Sequence, residues 1–187
     1  MNAAFEAFKT RAEAVSAEVH RFKTREEGLT FILNFLKDAG VADAPQCGAV
    51  WAGGTFIEGA QKDDLKVKVP GICFDINQEV SASAKVGISQ LDWAISATGT
   101  LVQDATAVDK RLVSTLPPIH VALLGTERIL ADMGSVLEKL RPQQLNYISF
   151  ITGPSRTADI ERVLTIGVHG PERLIIVVID ELQQVTA

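Results

Sequence analysis

The hexapeptide Thr152-Gly-Pro-Ser-Arg-Thr157 contains the residue types best suited to bind an anion. Gly153 would let backbone amides approach the anion, and the hydroxyls of Ser155 and Thr157 would add hydrogen-bond donors. Arg156 offers a bidentate donor for a carboxylate or a phosphate. The alternative is that these residues form a turn and are present only for its backbone angles.

Two further glycine-containing segments could complete a binding cleft. The first, Thr98-Gly99-Thr100, would form the wall opposite the hexapeptide. The second, residues 167–171, contains His169, whose ordinary pKa suits a general acid or base. Both segments have the same alternative, a plain turn, and His169 could equally make a structural hydrogen bond to a neighbouring carbonyl.

Asp159 and Glu161 are the acid–base candidates that follow the hexapeptide. Because they are two positions apart, they share a face only if the segment is extended. Asp104 follows a predicted strand and could orient a ligand hydroxyl. Each carboxylate also has a structural alternative: Asp159 could cap a short helix, and Asp104 could simply end its strand.

Familiar nucleotide, hydrolase and metal motifs are missing from the sequence. There is no G-x-G-x-x-G, no G-x-x-x-x-G-K-[ST] and no G-x-S-x-G. The segment Gly53-Gly54-Thr55 is more typical of a flexible turn than of a phosphate cradle. Cys47 and Cys73 cannot supply the four thiolates of an ordinary iron–sulfur cluster, and the histidine spacing indicates no metal site. We therefore expect no metal site and no redox cofactor in this chain.

Short β-prone runs follow one another from about residue 48. The runs predicted as strands are residues 49–51, 72–74, 86–89, 100–103, 120–124, 147–151 and 174–179. The last three are almost continuously apolar, which is typical of strands covered on both faces. Residues 126–141, with Thr126 as N-cap, form a predicted helix between two of these strands. This succession predicts a right-handed crossover and a parallel sheet, with ligands beyond the carboxyl ends of its strands.

Residues 1–40 are predicted to form a helical hairpin. Six apolar residues recur at alternating steps of three and four and define one helical stripe: Phe5, Phe8, Ala12, Val15, Val19 and Phe22. A second helix begins after Thr24, which has the capping-box spacing to Glu27, and ends at Gly40. The hairpin would extend an α/β domain of residues 41–187, the two forming one structural unit. It would either pack on that domain or dock a partner.

The composition argues against several classes of protein. The chain has 187 residues, 47% of them hydrophobic, which suits one globular domain. A net charge of −5 argues against nucleic acid, whose phosphates need clustered Lys and Arg. The longest apolar run, residues 174–179, is far shorter than the ~20 residues that span a bilayer. With no secretory signal visible either, we expect a cytoplasmic protein without a membrane span.

Two segments of the chain resemble a known family. Residues 151–161, Ile-Thr-Gly-Pro-Ser-Arg-Thr-Ala-Asp-Ile-Glu, followed by Val168-His-Gly-Pro171, closely resemble the signature of the lactate utilization protein C family, the LUD domain. Residues 92–102, Asp-Trp-Ala-Ile-Ser-Ala-Thr-Gly-Thr-Leu-Val, resemble an earlier segment of that family. The matching runs extend from about residue 86 to residue 180, roughly half of the chain.

The resemblance implies a fold, a pathway and partners. The fold would be α/β and similar to the NagB/RpiA/CoA-transferase group, a mostly parallel sheet flanked by helices. The pathway would be a three-protein bacterial system that oxidises L-lactate to pyruvate, in which the other two proteins carry the iron–sulfur clusters. One departure is that Ala97 stands where the family commonly has a glutamate before Thr-Gly-Thr. An acid–base role of that glutamate therefore does not carry over, which leaves Asp104, Asp159 and Glu161 as possible substitutes.

Our leading expectation is a cluster-free subunit of an L-lactate-oxidising complex with an anion-binding cleft. Arg156 would grip a carboxylate or phosphate, and His169 would transfer a proton or hydrogen-bond the ligand. Electrons would have to pass to a cofactor or partner, because no side chain of this chain can accept two electrons. One alternative is a stand-alone enzyme or binding protein for a phosphorylated or CoA-linked small molecule. Another is an interaction module whose N-terminal helices dock an iron–sulfur partner.

Overall fold

A six-stranded parallel sheet forms the centre of the molecule. The computed structural model describes residues 3–57, 59–141, 143, 145–158, 164–166 and 169–182. The central strands are β1 (Glu18–Phe22), β2 (Gly48–Trp51), β3 (Ile72–Cys73), β4 (Ala84–Gln90), β7 (Ile119–Gly125) and β12 (Arg173–Ile179). Their order across the sheet is β1-β12-β7-β4-β2-β3, and every neighbouring pair is parallel. The predicted parallel sheet is therefore confirmed.

The described residues also form a smaller sheet and six α-helices. The smaller sheet has the order β8-β5-β6-β9, with strands β5 (Trp93–Ile95), β6 (Thr100–Asp104), β8 (Ile129–Leu130) and β9 (Ile148–Ile151). An antiparallel pair, β10 (Arg156–Ala158) and β11 (Leu164–Ile166), follows it. The helices are α1 (Ala3–Ala14), α2 (Arg25–Asp38), α3 (Gly59–Lys68), α4 (Gln78–Ser83), α5 (Val108–Thr115) and α6 (Met133–Leu140). Among the described residues, no helix is both long and apolar enough to cross a membrane.

The central strands bury side chains on both faces. Val121 and Leu123 of β7 pack with α2 and α3 in one hydrophobic cluster. Ala122 and Leu124 of the same strand pack with α1 and the smaller sheet in a second cluster. Strand β12 divides its side chains between the two clusters in the same way. The continuous apolar runs at residues 120–124 and 174–179 thus have the predicted cause, since successive residues of a strand point to opposite faces.

The predicted helical hairpin is wrong, because a strand interrupts it. Helix α1 ends at Ala14, Ser16 takes a left-handed conformation with φ 70°, and residues 18–22 become strand β1 beside β12. Val19 fits both a helical stripe and an alternating strand, and pairing with β12 decides between them. The capping box of α2 and the left-handed Gly40 are confirmed. The boundary between residues 40 and 41 stays a prediction.

The predicted helix of residues 126–141 is too long at its start. A short 3-10 turn and strand β8 come first, and α6 begins after Asp132, whose Oδ1 accepts a hydrogen bond from Ser135 N at 2.8 Å. Thr126 is not the cap of this helix, because its hydroxyl donates to the Asp180 carboxylate. Strand β9 then joins β6 in antiparallel pairing, so the expected parallel crossover between residues 120–124 and 147–151 is also wrong.

Candidate functional site

The antiparallel pairing of β6 with β9 brings two of the predicted site segments together. Leu101 pairs with Ile151, so the residues before and after them, Thr100 and Thr152, come into contact. Thr100 Oγ1 lies 2.8 Å from Thr152 Oγ1 and 2.7 Å from Thr98 Oγ1. The result is a chain of three hydroxyl groups at the end of the smaller sheet.

Gly99 and Gly153 provide space for the end of α1. Their φ angles are 68° and 69°, in the left-handed region that favours glycine. A Cβ on Gly99 would lie 2.4 Å from Ala12 N, and a Cβ on Gly153 would lie 2.4 Å from Val15 O. The space that the sequence suggested for an anion beside these glycines is therefore filled by the backbone that ends α1.

The loop of His169 contacts Ser155, the residue that precedes Arg156. Arg156 is exposed, and its Nη2 donates to Ser16 Oγ at 2.6 Å. Ser155 N donates to Pro171 O at 2.8 Å, and a Cβ on Gly170 would lie 3.1 Å from Ser155 Cβ. His169 is exposed beside this contact. The structure thus brings the hexapeptide and the His169 loop together, as a shared site would require.

Three other predicted site residues are only partly described or not described. Thr157 lies in the middle of β10, and only its backbone is described. Asp159 and Glu161 lie outside the described residues.

The structure describes Asp104 fully. Its Oδ1 accepts a hydrogen bond from Thr106 N at 3.0 Å, which favours its structural alternative of ending the strand.

The chain changes direction at the carboxyl ends of β2 and β4. These strands are neighbours, but the chain leaves β2 toward β3 and leaves β4 toward β7, on the opposite side. Such a topological switch point opens a crevice, and ligands of open α/β sheets bind in that crevice. The loop Gly53-Gly54-Thr55 follows β2, and Leu91 and Asp92 follow β4. We call this region the switch-point crevice.

The Gln90 side chain holds the loop of the switch-point crevice. Its Oε1 accepts hydrogen bonds from Thr55 N at 2.9 Å and from Phe56 N at 3.1 Å. Its Nε2 donates to Thr55 Oγ1 at 3.0 Å, and a Cβ on Gly54 would lie 2.6 Å from Oε1. The sequence predicts a flexible turn here. It does not predict the contact, because Gln90 is 35 residues away from Thr55 and no local motif indicates it.

Asp92 supplies a half-buried carboxyl group beside the same crevice. Its Oδ2 accepts a hydrogen bond from Asp104 N at 2.7 Å. Burial raises the pKa of Asp92, while the positive charge of Lys110 and the amide of Asp104 act in the opposite direction. Sequence reasoning missed Asp92, which only the fold places next to the first turn of α5.

A buried polar cluster connects the two sheets. Ser89 Oγ lies 2.9 Å from His120 Nε2 and accepts a hydrogen bond from Gln103 Nε2 at 3.1 Å. Within the described residues, His120 Nδ1 and Gln103 Oε1 have no hydrogen-bond partner. Burial lowers the pKa of His120 to about 4, so the ring is neutral at pH 7. The cluster is fully enclosed, which excludes direct contact with an external substrate.

The remaining histidine and the cysteines form no metal cluster. His20 lies on β1 rather than on a helix, its ring 4.5 Å from the ring of Phe31, and burial lowers its pKa. Cys47 and Cys73 are half-buried free thiols. In the described ranges, no three His, Cys, Asp or Glu side chains come together as they would around a metal ion.

The chain matches a known family and several of its named relatives. The model of the LUD domain family matches residues 5–179. Lactate utilization protein C of Exiguobacterium sp. is 32% identical over 114 residues, which are 58% of this chain and 50% of that protein. The protein of the same name from Anoxybacillus flavithermus is 35% identical over 106 residues, 56% of this chain and 48% of the relative. The chain spans about half the length of these relatives.

A solved structure shares the fold. The crystal structure of a DUF162 family protein from Deinococcus radiodurans superposes with a TM-score of 0.65. The superposition covers 94% of this chain and 96% of that one, at 18% sequence identity. At this identity the similarity shows the fold alone.

Proposed function

Because the chain belongs to the LUD domain family, we propose that it serves lactate utilization as the cluster-free subunit of a bacterial L-lactate-oxidising iron–sulfur complex. The observation that carries the proposal is the match to relatives named lactate utilization protein C. These relatives are about twice as long as the matched region. The transfer of their role to this chain is therefore part of the proposal.

The ligand of this subunit would be a small carboxylate, bound near Arg156. Support comes from the exposed guanidinium, which forms no ion pair within the described residues and has only the Ser16 hydroxyl beside it. The hydroxyls of Thr98, Thr100 and Thr152 would accept a hydrogen bond from the 2-hydroxyl of lactate or donate one to it. With Gly99 and Gly153 occupied by α1, binding would rest on these side chains rather than on glycine amides.

Oxidation of lactate to pyruvate removes two electrons and two protons. His169, exposed on the loop that Ser155 holds, would accept one of these protons, and Asp159 and Glu161 stay candidates for accepting the other. The electrons would pass to iron–sulfur clusters in partner subunits, since side chains alone cannot accept them. The proposal therefore includes clusters in the partners and a cytoplasmic complex.

Replacing Arg156 by Ala tests the anion site. We expect lactate, pyruvate or phosphate to raise the thermal unfolding midpoint of the wild-type chain by more than that of Arg156→Ala. A ligand at a hundred times its Kd stabilises by about 2.7 kcal/mol, which a thermal-shift assay resolves. The matched control is Lys139→Ala, which removes the same charge from the exposed face of α6. An unchanged response in Arg156→Ala would refute the site.

A second candidate is an enzyme that acts alone on a phosphorylated or CoA-linked small molecule. The switch-point crevice favours it, because the crevice combines aligned backbone amides with the carboxyl group of Asp92. This candidate predicts turnover by the isolated chain, whereas the first predicts turnover only with the iron–sulfur subunits present. A coupled assay with and without those subunits separates them.

A further inference from the structure

Three donors in the switch-point crevice converge on a single oxygen atom. Thr55 N, Phe56 N and Thr55 Oγ1 all lie within 3.4 Å of Gln90 Oε1. Successive backbone N–H groups that point at one position form a concave site suited to an anionic oxygen. A neutral amide oxygen occupies that position here, in a geometry that a carboxylate or phosphate oxygen would match.

Arg25 fixes the direction of one of these amides, Phe56 N–H, from outside the crevice. Its Nη2 donates to Thr55 O at 3.1 Å and also to Phe56 O. In a trans peptide the C=O and the N–H point in opposite directions, so holding Thr55 O on one side directs Phe56 N–H to the other. The guanidinium also lies 5.3 Å from the centre of the Phe56 ring. The Phe56 N–H is thus held in place by a contact that does not involve Gln90.

The loop that carries these donors is exposed on its outer side. Gly53, Gly54 and Thr55 are exposed, whereas the Gln90 side chain lies beneath them. A Cβ on Gly53 would have Asp109 Oδ2 at 4.0 Å as its nearest neighbour, so this side of the loop is open. Lys110 follows Asp109 at the start of α5, and its positive charge acts on Asp92.

We propose that the switch-point crevice binds the carboxylate or phosphate group of a small molecule, and that Gln90 Oε1 occupies the oxyanion position until the ligand displaces it. The site shares no residue with the Arg156 site and stands whether or not that site exists. Its ligand would extend over Gly53 and Gly54 toward Lys110 and Asp92, which can bind polar groups of the remainder.

The first test removes the competing oxygen. In an Arg156→Ala background, Gln90→Ala should unfold at a lower temperature in anion-free buffer, because the amides of Thr55 and Phe56 lose their acceptor and that of Phe56 is buried. Inorganic phosphate should then restore the unfolding temperature saturably, with a half-saturating concentration roughly tenfold below that of the Arg156→Ala parent. Acetate, used in parallel, shows whether the site prefers a carboxylate. Loss of stability without recovery by either anion would overturn the proposal.

Gln103→Ala is the matched control. Gln103 is also a fully buried amide, and its Nε2 donates to Ser89 Oγ and to Gln90 O, but it touches neither Thr55 N nor Phe56 N. We expect Gln103→Ala to lose stability as well, without the tenfold gain in phosphate affinity. An equal gain in both variants would mean that the anions act on the fold in general and would refute the site.

Gln90→Glu tests the site without a loss of volume. Its carboxylate would place an anionic oxygen permanently on the two amides, so the phosphate response assigned to the crevice should disappear in a folded protein. A phosphate response unchanged by Gln90→Glu would contradict the proposal even if Gln90→Ala failed to fold. A response removed by Arg156→Ala and kept by Gln90→Glu would belong to the Arg156 site instead, so the two proposals fail separately.

Discussion

At the scale of single residues, the polar groups buried between the two sheets are Ser89, His120 and Gln103. They come from β4, β7 and β6, so the cluster forms only when the smaller sheet packs on the central one. Buried polar groups of this kind are stable only while hydrogen-bonded. The Nε2 atoms of His120 and Gln103 each lie within hydrogen-bond distance of Ser89 Oγ. Within the described residues, His120 Nδ1 and Gln103 Oε1 have no partner.

His120 makes the stability of the protein depend on pH. Burial lowers its pKa from an ordinary value of 6.5 to about 4, so the unfolded chain binds a proton before the folded chain does. The contribution of the neutral His120 ring to the free energy of unfolding is complete above pH 6.5 and is lost as the pH falls toward 4. The pKa difference corresponds to roughly 3 kcal/mol. Urea denaturation at pH 7 and pH 5 should show a lower free energy of unfolding at the lower pH.

His120→Gln is the variant that isolates this effect. Its free energy of unfolding should fall less between pH 7 and pH 5 than that of the wild type. His20, whose pKa burial also lowers, contributes a residual decrease of the same sign in both proteins. Identical pH dependence in the two proteins would show that His120 is not the responsible group.

The candidate site could be predicted from the sequence only where its residues are local. The Thr-Gly-Thr turn and the hexapeptide are contiguous motifs, and the pairing of β6 with β9 does bring Thr100 to Thr152. The crevice depends on Gln90 and Asp92, which meet Thr55 and Lys110 through the fold. No spacing in the sequence encodes those contacts, so they had to come from the structure.

At the scale of secondary structure elements, the end of α1 rests on the two glycine turns of the smaller sheet. Every run predicted as a strand is a strand, with bounds shifted by at most a few residues. The short strands β5 and β8 escaped prediction because two or three residues carry no usable period. Strand β1 was not predicted, because Val19 continues the helical stripe of Phe5 and Phe8. Only the pairing of β1 with β12 shows that this segment is a strand.

Gly153→Ala should detach α1 from its turn. The added Cβ would lie 2.4 Å from Val15 O and would impose a left-handed φ of 69° on a non-glycine residue. Overpacking together with the backbone strain should cost about 2–4 kcal/mol, measured by urea denaturation. Gly53→Ala is the control, since open space around it predicts a change below about 1 kcal/mol. Equal stabilities of the two variants would contradict the close contact.

At the scale of the whole molecule, the N-terminal segment is a structural part of the central sheet. Arg21 binds Asp180 through two hydrogen bonds, and Glu18 binds Arg173 in the same way, so both ends of β1 are fixed to β12. Helix α1 contributes Phe5 and Phe8 to the second hydrophobic cluster. The segment therefore covers the core.

Deletion of residues 1–39 should abolish cooperative folding. The truncated chain would expose one edge and parts of both faces of β12 and lose the side chains that α1 and α2 bury, which is more than a domain of marginal stability can lose. Circular dichroism should show no sigmoidal thermal transition. A cooperative transition in the truncated chain would refute this expectation.

Glu6→Lys tests docking of a partner without unfolding the protein. It changes an exposed residue of α1 and should leave the thermal transition intact.

The pairing of β1 with β12 also determines when a newly made chain can finish folding. Glu18 and Arg173 are 155 residues apart. A ribosome adds about 5–20 residues per second, so β1 waits on the order of ten seconds before its neighbour has been synthesised. During that interval Val19 and the apolar side of α1 have no native surface to cover them. Strand β1 is thus synthesised long before it can be buried, and it is a segment that chaperones would meet during that interval.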